Sequence, residues 1–321
     1  MSPALLHELR SQANPGWIFR AGRLLAERGR AGPPPVDLVR AAQDQAAASV
    51  SLPPAQVRQE LEAILLAPEP GAGLQWLQDT GVLPLWLPEL SATVNFSQEA
   101  GRRHKDVWEH TKQVVLQAAP RALVRWAALL HDIGKVPTRT FLPDGRVHFH
   151  RHAEVGARMF DDIGRRLGFD RSTHRAIRFL ILHHLRANQY VETWTDSAVR
   201  RFDREMGEYL QDLLDLSRAD ITSRLPGRRR QALEDIDALQ ARILALRAED
   251  AVRPPLPSGL GNVIMERFGL PPSRLIGDLK RRLEAAIAAG ELEPHREASY
   301  YLGEVERYLA ELPQTPCLCP E

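Results

Sequence analysis

Apolar residues recur at helical spacing along most of the chain. The first stripe falls at i, i+1, i+4, i+7 and i+8 and predicts an amphipathic helix that ends near Gly29. It consists of Trp17, Ile18, Ala21, Leu24 and Leu25. Later stripes of the same kind begin at Val57, Val107, Leu123, Val155, Ile177, Leu210, Leu233 and Leu275. The pattern therefore predicts the all-α fold class.

One segment departs from helical spacing and predicts a short β-hairpin. Asp144-Gly145 is a favourable two-residue turn, and it lies between Phe141 and Phe149 in the run FLPDGRVHF. His148 and His150 flank Phe149, so their side chains are expected to share one face of the second strand.

Composition narrows the function classes. Lys plus Arg is 42 and Asp plus Glu is 41, for a formal charge of +1, which excludes a globally polycationic nucleic-acid coat and leaves room for a local basic patch. The only cysteines are Cys317 and Cys319, so a disulfide framework and a four-thiolate zinc site are excluded. Without an 18-residue apolar window or a secretory signal, the chain is expected to be cytoplasmic, with no membrane partner.

Histidine is the unusual component. Of 11 histidines, nine lie between His104 and His184. On their predicted helices, His110, His152 and His184 share a face with the neighbouring apolar residues. Asp220 directly precedes Ile221 in another apolar stripe. Burying several ionisable groups costs several kcal/mol (about 2 or more each) unless they are paired or hold a cation, so the pattern favours a metal centre.

The adjacent pair His131-Asp132 closes an apolar helix. Neighbouring side chains diverge on a regular helix, so both reach one ion only where the helix ends, and Gly134 is expected to supply that irregularity. Imidazole with carboxylate suits one or two divalent transition-metal ions, namely Mn, Ni, Co, Fe or Zn, whereas Mg prefers oxygen ligands and is the alternative.

These residues resemble the signature of the HD-domain metal-dependent phosphohydrolases. The matching features are His110, the run from His131 to Lys135, and Asp220. The resemblance implies a first metal site built from His110, His131, Asp132 and Asp220. It also implies a second site that adds His152 and either His183 or His184.

The similarity extends to one branch of that family. Residues 24–29, 57–90, 197–202 and 259–292 resemble the neck, body and tail of bacterial CCA-adding tRNA nucleotidyltransferases that carry an HD domain. The resemblance implies three regions. They are an N-terminal helical region at 1–95, an HD phosphohydrolase bundle with the hairpin at 96–250, and a C-terminal helical tail at 251–321.

The sequence departs from that branch in its polymerising motif. Those enzymes use a palm in which Gly-Ser precedes Asp-x-Asp, whereas this sequence starts beyond the corresponding point. Its only Asp-x-Asp, from Asp235 to Asp237, lies in a helical stripe with no Gly-Ser ahead of it. We interpret these aspartates as solvated helix residues and expect no nucleotide addition by this chain.

The implied chemistry is phosphoester hydrolysis. Two divalent ions about 3.5–4 Å apart lower the pKa of a bridging water and neutralise a phosphoryl oxygen. Asp132 has one oxygen for each ion and is the expected bridge. Of the doubled histidine, helical phase favours His184, although both His183 and His184 stay candidates.

Cationic residues near the motif are candidates for binding substrate phosphate. Lys135 follows the HD pair and is a candidate catalytic residue; it is equally interpretable as a lysine that complements the helix dipole. The guanidinium groups of Arg200, Arg201 and Arg224 suit phosphate, and His150 is a further candidate. The basic turn at 225–230 is either a solvated loop or an RNA-steering patch.

Two function classes remain open. The first is a metal-dependent phosphodiesterase or phosphatase that acts on nucleotides or RNA ends, such as 2',3'-cyclic phosphates. The second is an RNA- or tRNA-binding protein whose HD site is structural or regulatory. The full ligand set favours the first, and a (p)ppGpp hydrolase is disfavoured because its other sequence blocks are not seen. The oligomeric state is not predicted.

Overall fold

The fold is described from a computed structural model of the 321-residue chain. The described residues are 14–28, 34–97, 106–143, 146–252 and 254–311. Within these ranges, the only multi-residue strands form one two-stranded antiparallel sheet, and the other regular elements are helices. The predicted all-α class with one hairpin is confirmed. No helix in these ranges is both long and apolar enough to cross a membrane.

Helices of mixed length make up the chain in three stretches. The first contains α1 (Trp17–Arg28), α2 (Val36–Gln45), a 3₁₀ segment (Ala46–Ser51), α3 (Pro54–Leu66), α4 (Pro70–Asp79), α5 (Leu83–Trp86) and α6 (Pro88–Ser91). The second contains α7 (Val107–Gln117), α8 (Ala122–Leu130), α9 (Lys135–Thr138), β1 (Arg139–Phe141), β2 (Val147–Phe149), α10 (His152–Arg166), α11 (Arg171–His183) and a 3₁₀ segment (Ala187–Gln189).

The third stretch completes the described chain. It contains α12 (Asp196–Met206), a 3₁₀ segment (Gly207–Tyr209), α13 (Leu210–Asp220), α14 (Pro226–Val252), α15 (Leu260–Phe268), α16 (Arg274–Ala289) and α17 (Ala298–Ala310). The predicted aspartates Asp235 and Asp237 lie within α14, and the apolar residue between them, Ile236, is buried. Their placement on a helix agrees with the interpretation as helix-surface residues.

The described residues form two compact units. The first comprises those within 1–190 and 208–236, and the second those within 191–207 and 237–321. The second unit has its own apolar core. That core consists of Leu256, Leu260, Ile264, Ile276, Leu279, Leu283, Ile287, Tyr301, Val305 and Tyr308. The three sequence regions at 1–95, 96–250 and 251–321 stay a prediction.

Helix α8 lies at the centre of the first unit. It is buried from Val124 to its last residue, Leu130, and contacts α3, α7, α11 and α13. Its charged residue, Arg125, donates hydrogen bonds to the carbonyls of Leu65, Ala67 and Ala118, which satisfies a buried cation without a carboxylate. Burial continues beyond the end of this helix, so the next residues, His131 and Asp132, also lie within the core.

Gly134 allows α10 to approach the end of α8. The regular helix ends at Leu130, as expected at the His131-Asp132 pair, but the backbone of Gly134 is right-handed helical at φ −67°, so the glycine is needed for space and not for an unusual conformation. A Cβ atom there would lie 2.0 Å from the carbonyl oxygen of His152 and 2.6 Å from the amide nitrogen of Gly156. The absence of a side chain therefore sets how closely the two histidine-bearing segments meet.

The hairpin has a register that differs from the predicted one. A two-residue turn at Asp144-Gly145 would place Phe141 opposite His148, whereas Phe141 lies opposite Val147. Asp144 and Gly145 themselves lie outside the described residues. Because a shift of one residue exchanges the faces of a strand, the observed register puts Phe141, Val147 and Phe149 on one face.

We predict that Gly134→Ala lowers the free energy of unfolding by about 2 kcal/mol or more, because the added methyl group meets backbone atoms that cannot rotate away. Urea denaturation followed by circular dichroism measures the change. The matched control is Gly227→Ala in α14, where a Cβ meets nothing within 4 Å. This control should be neutral or slightly stabilising. Equal stability of the two variants would contradict the close approach.

Candidate metal centre

Six ionisable side chains converge in the first unit from the ends or inner faces of five helices. They are His110 within α7, His131 and Asp132 directly after α8, His152 at the first residue of α10, His184 directly after α11, and Asp220 at the last residue of α13. Asp106 caps α7 by accepting from the amide of Glu109. At α10, the left-handed backbone of Arg151, at φ 59°, turns the chain from β2 into the helix. These local features set where α7 and α10 begin, and with them the positions of His110 and His152.

The first group surrounds one oxygen of Asp132. Its Oδ2 lies 3.2 Å from His131 Nε2 and 3.5 Å from His110 Nε2, and the two imidazole nitrogens are 3.3 Å apart. Asp220 Oδ1 lies 3.0 Å from His110 Nε2 and 3.5 Å from His131 Nε2. Donor atoms that share one ion at about 2.1 Å are separated by about 3.0–3.4 Å. This donor set fits a single divalent ion.

The second group surrounds the other oxygen of the same carboxylate. Asp132 Oδ1 lies 3.6 Å from His152 Nε2, and His152 Nε2 lies 3.3 Å from His184 Nε2. The ligand atoms of Asp132, His152 and His184 all lie within 4.8 Å of one another. Asp132 therefore presents one oxygen to each group, as a carboxylate that bridges two ions would.

In each imidazole of the two groups, the ring nitrogen Nδ1, which points away from the other ligand atoms, makes a hydrogen bond. Three of the histidines use a carbonyl three residues earlier: His131 Nδ1 donates to Ala128 at 2.8 Å, His152 Nδ1 to Phe149 at 2.9 Å, and His184 Nδ1 to Ile181 at 2.7 Å. The Nδ1 atom of His110 lies 3.0 Å from the hydroxyl of Thr222. A proton on Nδ1 leaves Nε2 with a free lone pair, so these bonds select the tautomer that a metal requires.

The first group holds a proton in the absence of an ion. Burial by itself lowers the pKa of His131, but the carboxylates of Asp132 and Asp220 outweigh it and raise that pKa to about 10. Burial raises the pKa of Asp132, and the charges of His131 and Lys135 more than reverse this, so its pKa is well below the usual range. The pKa of Asp220 is also lowered, because hydrogen bonds from His110 and His131 outweigh its burial.

The second group behaves in the opposite way. Burial lowers the pKa of His184 to about 4, with a further contribution from the charge of His131. Burial also lowers the pKa of His152, although Asp132 opposes the effect. Both imidazoles are therefore neutral at pH 7 and ready to accept a cation.

Lys135 extends from α9 to the bridging carboxylate. Its Nζ lies 2.6 Å from Asp132 Oδ2, and its side chain is largely buried. The amine is thus in direct contact with a ligand atom of the first group.

The remaining predicted site residues lie in different parts of the structure. His183 lies outside both groups, and its ring centre is 4.3 Å from that of Phe179. His150 is exposed in the turn between β2 and α10. Arg224 is exposed and lines a groove together with His110. Arg200 and Arg201 belong to the second unit, and Arg200 pairs with Asp250 at 2.8 Å.

Two partners of the cluster were missed by sequence reasoning. Thr222, which holds His110, comes two residues after Asp220 and was available as a signal, since a hydroxyl near a ligand often orients an imidazole. The backbone carbonyl of Phe149, which holds His152, carries no side-chain signal. Its role depends only on how the chain leaves β2.

A groove of about 980 Å³ opens from the first group. It is lined on one side by α7, including Glu109, Gln113 and Gln117, and on the other by residues 220–232. Arg224, Arg228 and Arg229 belong to the second side. His110 and Asp220 also line it, so the groove and the cluster are continuous.

Comparison with known families accords with this geometry. Residues 94–225 match the model of the HD domain. This stretch of the chain is similar to the HD domain. This domain spans all six converging residues, and the family together with the His/Asp cluster indicates a divalent metal site.

Curated relatives are similar over a longer stretch than the HD domain. The A-adding tRNA nucleotidyltransferase of Deinococcus radiodurans is 35% identical over 271 residues, which are 80% of this chain and 59% of that protein. The CC-adding tRNA nucleotidyltransferase of Thermus thermophilus is 33% identical over 256 residues, 77% of this chain and 56% of that protein. The multifunctional CCA protein of Azoarcus sp. is 39% identical over 105 residues, 31% of this chain and 26% of that protein.

The resemblance to HD-containing tRNA nucleotidyltransferases is thereby confirmed. The match spans somewhat more than half the length of the first two relatives. What those proteins do is accordingly not assigned to this chain by similarity alone.

We predict that metal loading releases close to one proton per protein at pH 7. The pKa of His131, raised to about 10, keeps its imidazole protonated in the metal-free state, and the proton must leave before Nε2 binds an ion. Metal affinity should therefore rise with pH until His131 is neutral. His184, with its pKa lowered to about 4, should add no proton at neutral pH.

Calorimetric titration with Mn²⁺ in buffers of different ionisation enthalpy measures the released protons. His131→Ala should remove the proton release, whereas the control His183→Ala should retain it. Binding of Mn²⁺ with a heat independent of the buffer would contradict the prediction.

Proposed function

We propose that this chain is a metal-dependent phosphohydrolase that acts on nucleotide or RNA-terminal phosphoesters, such as 2',3'-cyclic phosphates. The observation that carries the proposal is the placement of Asp132, which directs one oxygen to each of two histidine groups. A buried carboxylate shared between two imidazole pairs suits a pair of divalent ions better than a single structural ion.

The ligand roles in this proposal follow the two groups. His110, His131 and Asp220 would hold one ion, His152 and His184 would hold the other, and Asp132 would contribute to both sites. Imidazole-rich donors suit Mn, Ni, Co, Fe or Zn, with Mg as the alternative. When bound, such ions lower the pKa of water and neutralise charge on a phosphoryl oxygen.

In this proposal, Lys135 is the side chain of the protein that acts directly on the substrate. In hydrolysis of a cyclic phosphate, the water oxygen bonds to phosphorus, the bond from phosphorus to one ribose oxygen breaks, and that oxygen gains a proton. Because Lys135 Nζ lies 2.6 Å from Asp132 Oδ2, a substrate phosphate at the cluster is within its reach. Its ammonium group donates a hydrogen bond to the departing ribose oxygen, where negative charge develops.

The groove supports a polynucleotide end as the substrate. Arg224, Arg228 and Arg229 lie on one side of it, and arginine binds phosphate groups through its planar fork. The relatives act on tRNA according to their names, which supports RNA as the partner of this groove. A nucleotide chain with its terminal phosphoester at the cluster would lie along these arginines.

A second function is also supported by the groove and the relatives. In it, the chain binds tRNA or another RNA, and the metal cluster holds α7, α8, α10, α11 and α13 together without turnover. The basic side of the groove favours RNA binding in either case. Hydrolysis of a phosphoester by the metal-loaded protein distinguishes the first function from the second.

We predict that metal-loaded protein hydrolyses phosphodiesters and that Asp132→Ala lowers the rate by at least about 100-fold, because it removes the one ligand shared by both ions. The assay uses adenosine 2',3'-cyclic phosphate, bis(p-nitrophenyl) phosphate and RNA with a cyclic terminus, each with Mn²⁺, Ni²⁺, Co²⁺ and Mg²⁺. The matched control is Asp235→Ala, a carboxylate on α14 outside the cluster.

Helical circular dichroism and metal content accompany each assay. Full activity of Asp132→Ala would contradict the proposed site. If the wild-type protein binds metal and RNA but hydrolyses none of the substrates, the second function is favoured.

We predict that His184→Ala reduces the bound metal from two ions to one, whereas His183→Ala retains both. His184 Nε2 lies 3.3 Å from His152 Nε2, while His183 contacts Phe179. Inductively coupled plasma mass spectrometry of the Mn²⁺-loaded variants measures the stoichiometry. A loss of metal in His183→Ala with retention in His184→Ala would reverse the assignment, and two ions in both variants would exclude either residue as a ligand.

A further inference from the structure

Aromatic and cationic side chains meet on one face of the hairpin beside the metal cluster. The register places Arg139 opposite Phe149 and Phe141 opposite Val147, so these four side chains share a face. Phe96, from the segment ahead of α7, contacts the same face through Arg139 and Phe149. We call Phe96, Arg139, Phe141 and Phe149 the aromatic platform.

Arg139 is the centre of this platform. Its guanidinium carbon lies 4.2 Å from the ring centre of Phe96 and 5.3 Å from that of Phe141. The rings of Phe96 and Phe149 are 6.3 Å apart at an interplanar angle of 50°. Flat π and guanidinium surfaces of this kind are what unpaired nucleobases stack on.

The platform is joined to the metal cluster at two points. The carbonyl of Phe149 accepts the hydrogen bond that orients His152. Lys135 Nζ lies 5.7 Å from the ring centre of Phe149 and 2.6 Å from Asp132 Oδ2. The amine of Lys135 therefore lies between the ring of Phe149 and the ligand atoms of the cluster.

Phe141 is not accounted for by packing. Its side chain is 64% exposed, so it contributes little apolar burial to the hairpin. A large aromatic ring that stays in water next to a guanidinium group is typical of a stacking surface. Arg139, also exposed, lies against this ring and gives it a fixed cationic neighbour.

We propose that the aromatic platform is a nucleobase-binding subsite for the nucleotide whose phosphoester is cleaved. This inference rests on the proposed phosphohydrolase function and adds to it the residues that recognise the base of the nucleotide. The platform stacks the base, Lys135 contacts the phosphate, and the ribose lies between them. Binding is by stacking, so it requires an aromatic surface and tolerates any base.

The test compares two substrates that differ only in the base. They are adenosine 2',3'-cyclic phosphate and methyl β-ribofuranoside 2,3-cyclic phosphate, in which a methoxy group replaces adenine. The wild-type protein should show a kcat/KM about 10-fold higher for the adenosine substrate, a preference of the size that one stacked base gives. Most of the difference should be in KM, because the base is remote from the bonds that change.

The variants are Phe141→Leu and Phe141→Trp. Phe141→Leu should raise KM for the adenosine substrate about 10-fold, with kcat unchanged and with no effect on the methyl riboside. Phe141→Trp should retain the preference, since it retains an aromatic face. The control is Tyr300→Leu in α17, which removes an aromatic ring that also lies beside an arginine, Arg296, at 5.1 Å, but which belongs to the second unit.

Equal kcat/KM for the two substrates in the wild-type protein would overturn the subsite and leave the phosphohydrolase function standing. So would equal KM values for Phe141→Leu and the wild-type protein. Loss of metal or of thermal stability in Phe141→Leu, with the same loss in Phe141→Trp, would show that the ring is structural and would overturn the subsite.

If neither substrate is hydrolysed, the proposed function fails, and the subsite is decided by binding. Calorimetric titration of the metal-loaded protein then compares adenosine 3'-phosphate with methyl β-ribofuranoside 3-phosphate. Tighter binding of the adenosine compound, lost in Phe141→Leu and retained in Phe141→Trp, supports the subsite. Equal affinities overturn it.

Discussion

The buried carboxylate of Asp132 is the constraint on which the first unit depends. Only 3% of Asp132 is exposed, and an ionised carboxylate so deeply buried is costly unless cations and hydrogen-bond donors surround it. Three histidines and Lys135 surround it from α7, α9, α10 and the end of α8. Removing the charge would leave these groups without their common partner, so the packing of four segments depends on one side chain.

The way in which the histidines are oriented follows from helix ends. At the end of a helix the last carbonyls have no amide partner within the helix. His131 and His184 each lie directly after a helix and bond the carbonyl three residues earlier. The same carbonyl bonds satisfy the helix terminus and fix the imidazole tautomer. At the ends of α8 and α11, one hydrogen bond therefore both positions the ligand candidate and completes the helix terminus.

The cluster has two sides with different chemistry. On the side of His110 and Asp220, the groove offers arginine side chains that suit a chain of phosphates. On the side of Lys135 and His152, the hairpin offers aromatic rings and Arg139. A cluster that held an ion only for stability would require neither surface. The two sides together support the proposed nucleotide ligand, which is both anionic and aromatic.

The helical fold class, the presence of the hairpin and the His/Asp motif were all determined by the sequence itself. Helical spacing and turn residues act over a few neighbouring positions, so they can be recognised without the fold. The i−3 carbonyl bonds of His131, His152 and His184 are also local. Tertiary structure decided the rest. Thr222 lies 112 residues from His110 in sequence, and the approach of Gly134 to α10 involves no local pattern. The hairpin register sets the face of Phe141, and the hairpin contacts Phe96 and His152, which lie outside its strands. Such contacts arise only when distant segments pack, so no spacing along the chain encodes them.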